Sequence, residues 1–147
     1  MTDKKVELEV LEIRRTYDTT REKLFSVLSQ PEQMSRWMNA GPDGRAEVAS
    51  LFQVGGTYTV KMFSETDECI SDTHGEYLEI ELMQKIVCTW KTKGFVEHSV
   101  LSFEIEDAEK GVELVLRHQL PSELIEPHSM GWPNCLNRLA TALEEAK

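Results

Sequence analysis

The sequence has no paired cysteine framework, no cluster of lysines and arginines, and no apolar run long enough to cross a membrane. Each absence removes a class of protein. The three cysteines, Cys69, Cys88 and Cys135, are odd in number and widely spaced. A disulfide scaffold needs paired cysteines and an oxidising compartment, so these read as free thiols in a reducing one. A membrane span needs roughly 20 apolar residues in succession, and nothing in the 147 residues approaches that. The polar start, Met1-Thr2-Asp3-Lys4-Lys5, lacks the apolar segment of a signal peptide. Lys and Arg number 16 against 26 Asp and Glu, a formal net charge of -10. Such a surface repels phosphate backbones and anionic headgroups, which argues against nucleic-acid and membrane partners. These features point to a soluble cytoplasmic protein.

The familiar catalytic signatures are missing as well. There is no GxSxG, no GxGxxG and no phosphate-binding GxxxxGK[ST]. Gly55-Gly56 lies between strand-like segments and reads as a turn rather than a phosphate loop. The histidines His74, His98, His118 and His128 form no HxH or HxxxH pair and no Cys/His pair at ligand spacing, so neither a metal nor another cofactor is expected. The acidic pairs Glu79/Glu81 and Glu104/Glu106 recur at i, i+2 on strand-like segments, the pattern of a solvated face rather than an acid/base dyad. No catalytic residue is assigned.

What is present is hydrophobic patterning, enough for one domain over residues 1–147. Near the end of the chain, Trp132, Leu136, Leu139 and Leu143 fall at i, i+4, i+7 and i+11, with Cys135, Ala140 and Ala142 widening the stripe. That spacing predicts a long amphipathic helix, with Asn134, Asn137, Arg138, Glu144 and Lys147 on its wet side. Pro133 is costly inside a helix, so the regular helix is expected to begin near Ser129 to Trp132, or to bend there.

Earlier in the chain, Val6, Leu8 and Val10 alternate with glutamates before Leu11, Ile13 and Tyr17 take the other parity. This reads as a first strand with a bulge where the parity changes. Arg15 shares the parity of Ile13 and Tyr17. Asp18, Thr19 and Thr20 suit a helix N-cap, and Leu24, Phe25, Val27 and Leu28 give a short apolar helix face. Pro31 ends that helix and starts another, with Met34, Trp37 and Met38 on its apolar side. A loop dense in breakers follows over residues 39–44. Strand patterns then recur: Val48 to Phe52, Tyr58/Val60/Met62, Gly75 to Ile80, Ile86/Cys88/Trp90, Ser99/Leu101/Phe103/Ile105 and Leu114/Leu116/His118. Between them lie Val54-Gly55-Gly56, the acidic tip Glu65 to Glu68, Lys93-Gly94 and Lys110-Gly111, all turn material. His118 continues the Leu114/Leu116 face and so points inward, either as a core histidine with both nitrogens satisfied or as a polar anchor for a ligand. The order is one strand, two short helices, about six strands and a long helix: an α+β meander whose concave face the last helix covers.

Eight short segments stand in the right register for one family: Ile13-Arg14-Arg15-Thr16-Tyr17-Asp18, Leu24-Phe25, Pro31-Glu32 with Trp37, Val54-Gly55-Gly56, Gly75 to Ile80, Thr89-Trp90, Leu114 to His118, and Gly131-Trp132. From about Glu7 to Leu143 the chain resembles the Aha1-type domain (activator of Hsp90 ATPase homologue) of the START/Bet v 1-like, or SRPBCC, superfamily. The resemblance implies a helix-grip fold: a curved antiparallel sheet of six to seven strands around the C-terminal helix, with two short helices after the first strand closing one end. It also implies a cavity between sheet and helix, which relatives use for lipids, polyketides, hormones or drugs. The sequence departs from the family pattern at Thr19-Thr20, where Ala-Pro is common, at Trp37-Met38, where tryptophan is commonly doubled, and at Pro133.

Three functions are in view. The favoured one is binding of a small hydrophobic or amphipathic ligand, with inward parity assigning Trp37, Tyr58, Met62, Trp90, Leu101, Phe103, Leu116, His118 and Trp132 to the cavity, and Trp37 to its mouth. A second is a co-chaperone or stress-response module with a chaperone partner; the eukaryotic activator carries a further N-terminal domain for which 147 residues leave no room. A third is a cyclase- or hydrolase-like enzyme using His118 or a glutamate. A monomer and a homodimer paired through an edge strand are both compatible with the pattern.

Overall fold

In the computed structural model, residues 7–38, 44–93 and 99–145 are described. The chain begins with strand β1 (Leu8–Tyr17), followed by helices α1 (Arg21–Ser29) and α2 (Pro31–Trp37). Six strands come next: β2 (Arg45–Ser50), β3 (Thr57–Phe63), β4 (Cys69–Glu81), β5 (Lys85–Thr92), β6 (Ser99–Asp107) and β7 (Val112–Pro121). A short 3₁₀ turn, Ser122–Leu124, leads into helix α3 (Ile125–Glu145). All pairings are antiparallel, in the order β1-β7-β6-β5-β4-β3-β2. Register irregularities at Met62/Phe63 and Tyr77/Glu79 interrupt the two ladders of β4. Bulges add twist and bend, and the sheet curves around α3 as the helix-grip pattern implies.

The inner face follows the alternation of the sequence. Across three neighbouring strands Ile86, Phe103 and Leu116 stand side by side, as do Cys88, Leu101 and His118. Trp132, Leu136, Leu139 and Leu143 on α3 are all buried against this face, and the Tyr17 hydroxyl donates to the Leu136 carbonyl at 3.0 Å. Leu139 is completely enclosed, so Leu139→Ala is expected to lower stability by about 3 kcal/mol. Urea melts check this, and a loss below about 1 kcal/mol would mean that the stripe does not carry the helix–sheet contact.

Local chemistry explains the short helices. The Thr20 hydroxyl accepts from the Lys23 N–H at 3.2 Å, capping α1. At the other end, Pro31 has no N–H to offer the carbonyl of Val27, its i−4 partner. The indole N–H of Trp37 supplies that bond instead, at 2.9 Å. On the outer face, Arg14 pairs with Glu113 at 2.8 Å, and Arg117 with Glu12 and Glu104 at 2.8 and 3.1 Å. The Glu104/Glu106 pair is thus part of a solvated charge ladder.

Three local expectations are corrected. The β1–β7 ladder runs without interruption from Leu8↔Pro121 to Tyr17↔Val112, so there is no bulge in β1. Leu8 and Val10 simply stand on the outer face, 53% and 55% exposed. The second strand is Arg45–Ser50 rather than Val48 to Phe52, because Leu51 and Gln53 belong to the turn that Gly55 and Gly56 complete. Helix α3 begins at Ile125, before Ser129, and carries Pro133 inside it. The expected turns at residues 39–43 and at Gly94 lie outside the described residues.

Candidate functional site

Among the described residues, His118 is the most deeply buried polar side chain, with no exposed surface. Its place is set by β7, whose alternation turns Leu114, Leu116 and His118 inward together. The indole N–H of Trp132, reaching down from α3, donates to Nδ1 at 3.1 Å. An indole can only donate, so Nδ1 is the acceptor and the proton of the imidazole sits on Nε2. Nε2–H then donates to the Ser99 hydroxyl at 2.7 Å, and that hydroxyl donates to the Trp90 carbonyl at 2.7 Å. Each link has one donor and one acceptor, so the chain from Trp132 to Trp90 is satisfied throughout. Burial pushes the His118 pKa down to about 3, with nearby His128 as a second cause. The ring is a neutral tie between helix and sheet, and it fixes the positions of two tryptophans.

Those tryptophans form one wall of a cavity. Their ring centroids are 5.3 Å apart, inclined at 52°. The cavity has a volume of about 340 Å³ and lies between the concave sheet and the first half of α3. The sheet contributes Met62, Ser71, Thr73, Trp90 and Thr92, and Met38 closes one side from the end of α2. The hydroxyls of Thr73 and Thr92 bond each other at 2.8 Å on this floor. Helix α3 contributes Pro127, His128, Gly131, Trp132, Asn134, Cys135 and Arg138. His128 Nδ1 lies 2.8 Å from the Leu124 carbonyl, and its ring stands edge-on to His118 with centroids 5.0 Å apart. Burial raises the Cys135 pKa, so the thiol form is favoured there. A second hollow, of about 650 Å³, lies where β1 and the start of α1 meet the end of α3. Its walls mix polar Thr16, Asp18, Thr20 and Lys23 with apolar Tyr17 and Leu143. The first cavity sets two tryptophans beside Met38 and Met62.

Of the nine residues assigned to a cavity from the sequence, Met62, Trp90 and Trp132 line this one. Tyr58, Leu101, Phe103 and Leu116 pack in the core, and His118 is enclosed beside Leu101. Trp37, expected at the mouth, is fully enclosed, bonded to Val27 and set edge-to-face on Phe103 at 6.0 Å. Tyr58 lies over Gly75, where a Cβ would come within 2.7 Å of its ring, and donates to the Thr89 carbonyl. Parity finds what faces inward, but it does not separate packed side chains from those that border space. The helix side of the cavity was readable in principle. His128, Gly131, Asn134/Cys135 and Arg138 recur every three or four residues, a second stripe beside the apolar one. Asn134 and Arg138, expected on the wet side, face the cavity.

Gly131 in that stripe is informative. It sits inside α3 without a positive φ, where glycine costs about 1 kcal/mol relative to alanine. A Cβ at this position would meet nothing within 4 Å. Neither backbone conformation nor close packing requires glycine here; the position is exposed at the cavity's edge, and a side chain on it would start in open space.

This geometry and the sequence agree with known proteins. Residues 18–144 match the family described as activator of Hsp90 ATPase homolog 1-like protein. The chain belongs to that family. Its fold is shared by CV1439 of Chromobacterium violaceum, with a TM-score of 0.83 and 18% identity over 92% of this chain and 96% of that one. CalU16 of Micromonospora echinospora aligns with a TM-score of 0.73 and 18% identity over 91% and 75%. DynU16, a protein of the dynemicin biosynthetic locus, aligns with a TM-score of 0.76 and 13% identity, over 94% of this chain and 48% of that one. At these identities the three structures share the fold with this chain and nothing finer. No curated protein matches the sequence. Among the described residues no three His, Cys, Asp or Glu side chains gather where they could hold a metal ion, and no helix is long and apolar enough to cross a membrane.

Proposed function

We propose that this protein binds a small, largely apolar ligand in the cavity between the sheet and α3. The observation that carries this reading is the cavity itself: about 340 Å³, within the range of roughly 300–1,000 Å³ that ligand sites occupy. Two methionines and two tryptophans supply apolar surface, and Ser71, Thr73, Thr92, Asn134, His128 and Arg138 supply a few polar groups. That mixture is the usual lining of a small-molecule site. Membership of the family supports the reading at the level of the fold.

The test uses the cavity's own fluorophores. N-phenylnaphthylamine, a neutral aromatic probe, is expected to quench Trp90 and Trp132 and to brighten as it leaves water. In Gly131→Leu the side chain grows into the cavity, so probe affinity is expected to fall at least about tenfold. Stability should hold or rise by up to about 1 kcal/mol, since leucine is the better helix former. A probe that binds both proteins equally is not in this cavity, and a probe that binds neither contradicts the reading.

A further inference from the structure

We propose that the Thr92 hydroxyl donates a hydrogen bond to the ligand, which carries a neutral acceptor oxygen such as a ketone or ester carbonyl and lays its apolar body against Trp90 and Trp132. This rests on the binding reading above and specifies the polar end of the ligand for the same cavity.

The first ground is a count of protons. Thr73 on β4 and Thr92 on β5 face each other across the ladder, and their hydroxyl oxygens lie 2.8 Å apart on the cavity floor. Each hydroxyl brings one proton, and the bond between them uses one of the two. Among the described residues neither hydroxyl makes a further hydrogen bond. One O–H donor is therefore left over on this floor. A ligand seated here must offer it an acceptor or leave it unpaired.

Burial decides which hydroxyl keeps the spare proton. Thr73 is 1% exposed, whereas Thr92 is half-buried. A buried donor without a partner is costly, so Thr73 spends its proton on Thr92, and the proton of Thr92 remains for the more open side. An idle lone pair is tolerated better than an idle donor, so the ligand group that matches is an acceptor.

Placement is the second ground. Trp90 and Thr92 are alternate residues of β5, so they share a face of the sheet about 7 Å apart along the strand, and both border the cavity. A carbonyl bonded directly to a ring puts its oxygen about 4 Å from the ring centre, and a hydrogen bond adds about 2.8 Å. A ring resting on Trp90 therefore brings such a carbonyl to Thr92. Ser71, an alternate neighbour of Thr73 on β4, adds a further hydroxyl to the same end of the cavity.

The experiment compares two ligands of one shape, acetylnaphthalene and isopropenylnaphthalene, in which CH₂ replaces the carbonyl oxygen. Each displaces N-phenylnaphthylamine from the intact protein, and the ratio of the two affinities is read. Thr92→Val, which exchanges the hydroxyl for a methyl, is expected to shift that ratio about fivefold against the ketone. Thr92→Ala, measured beside it, should shift the ratio in the same direction. Thr73→Val should keep the native ratio, because the Thr92 proton stays free. A purely structural role for Thr92 would weaken both ligands alike and leave the ratio where it was. A ratio unchanged in both Thr92 variants, or one that Thr73→Val shifts and they do not, overturns the Thr92 assignment and leaves the cavity reading standing. Failure of the neutral probe to bind the native protein overturns both. Displacement of the probe by the hydrocarbon shows that each variant is folded.

Discussion

Trp37→Ala is expected to be among the most damaging single substitutions in this chain, with a loss of about 4–8 kcal/mol. Removing a fully buried tryptophan costs about 3–5 kcal/mol from lost burial and the cavity left behind. A further loss arises because the Val27 carbonyl is deprived of its hydrogen bond, and an unsatisfied buried acceptor costs about 1–3 kcal/mol. Pro31 cannot replace the missing donor, since it has no N–H. The Phe103 ring would also lose its edge-to-face partner. Total stabilities of small domains are about 5–15 kcal/mol, so this variant is expected to lie close to its unfolding limit. Because Trp37 packs below the cavity rather than lining it, the fraction that stays folded should bind the neutral probe with near-native affinity. Urea denaturation and probe titration on the same sample check both halves. A stability loss under about 1 kcal/mol, or a loss of affinity without a loss of stability, would return Trp37 to the cavity mouth.

Acid is expected to have a comparable effect through His118. The folded protein holds this ring neutral, with its pKa pushed down to about 3 from an ordinary 6.5. The unfolded chain takes up a proton near pH 6.5 that the folded chain refuses, so protonation favours unfolding. The stability tied to the neutral ring is fully present above about pH 6.5 and is lost as pH falls towards about 3, by up to about 1.4 kcal/mol per pH unit. Between about pH 6.5 and 4 the expected loss is about 3 kcal/mol, added to whatever the surface carboxylates contribute. Denaturation curves at a series of pH values measure the slope. In His118→Gln the amide cannot titrate, so the variant starts less stable but should lose this part of the slope. Equal slopes in the two proteins would show that His118 is free to take up a proton when folded.

The fold was legible because each element declares itself locally. The stripe Trp132/Leu136/Leu139/Leu143, the alternation through Ile86/Cys88/Trp90 and Leu114/Leu116/His118, and the breakers at Pro31 and Gly111 all agree with one architecture. The misplacements have local causes. Leu8 and Val10 were given weight as apolar residues, although an outer sheet face tolerates exposed ones. Pro133 suggested a late start for the last helix, but the packing of α3 outweighs the missing N–H. The cavity was less legible because inward parity is a property of one strand, whereas space depends on how several side chains fill a common volume. Trp37 and Trp132 have equal claims by sequence, yet one meets Phe103 and Val27 and the other borders the cavity. The overlooked signal was the second helix stripe, His128, Gly131, Asn134/Cys135 and Arg138, which borders the cavity beside the apolar one.

Native mass spectrometry of the protein purified from its own host, side by side with Gly131→Leu, tests the binding cavity most directly. The expected result is a one-to-one non-covalent adduct of small mass on the native protein, reproducible between preparations, released on denaturation and absent from or much reduced on Gly131→Leu. An adduct carried equally by both proteins, or none on either, would contradict a ligand site between the sheet and α3.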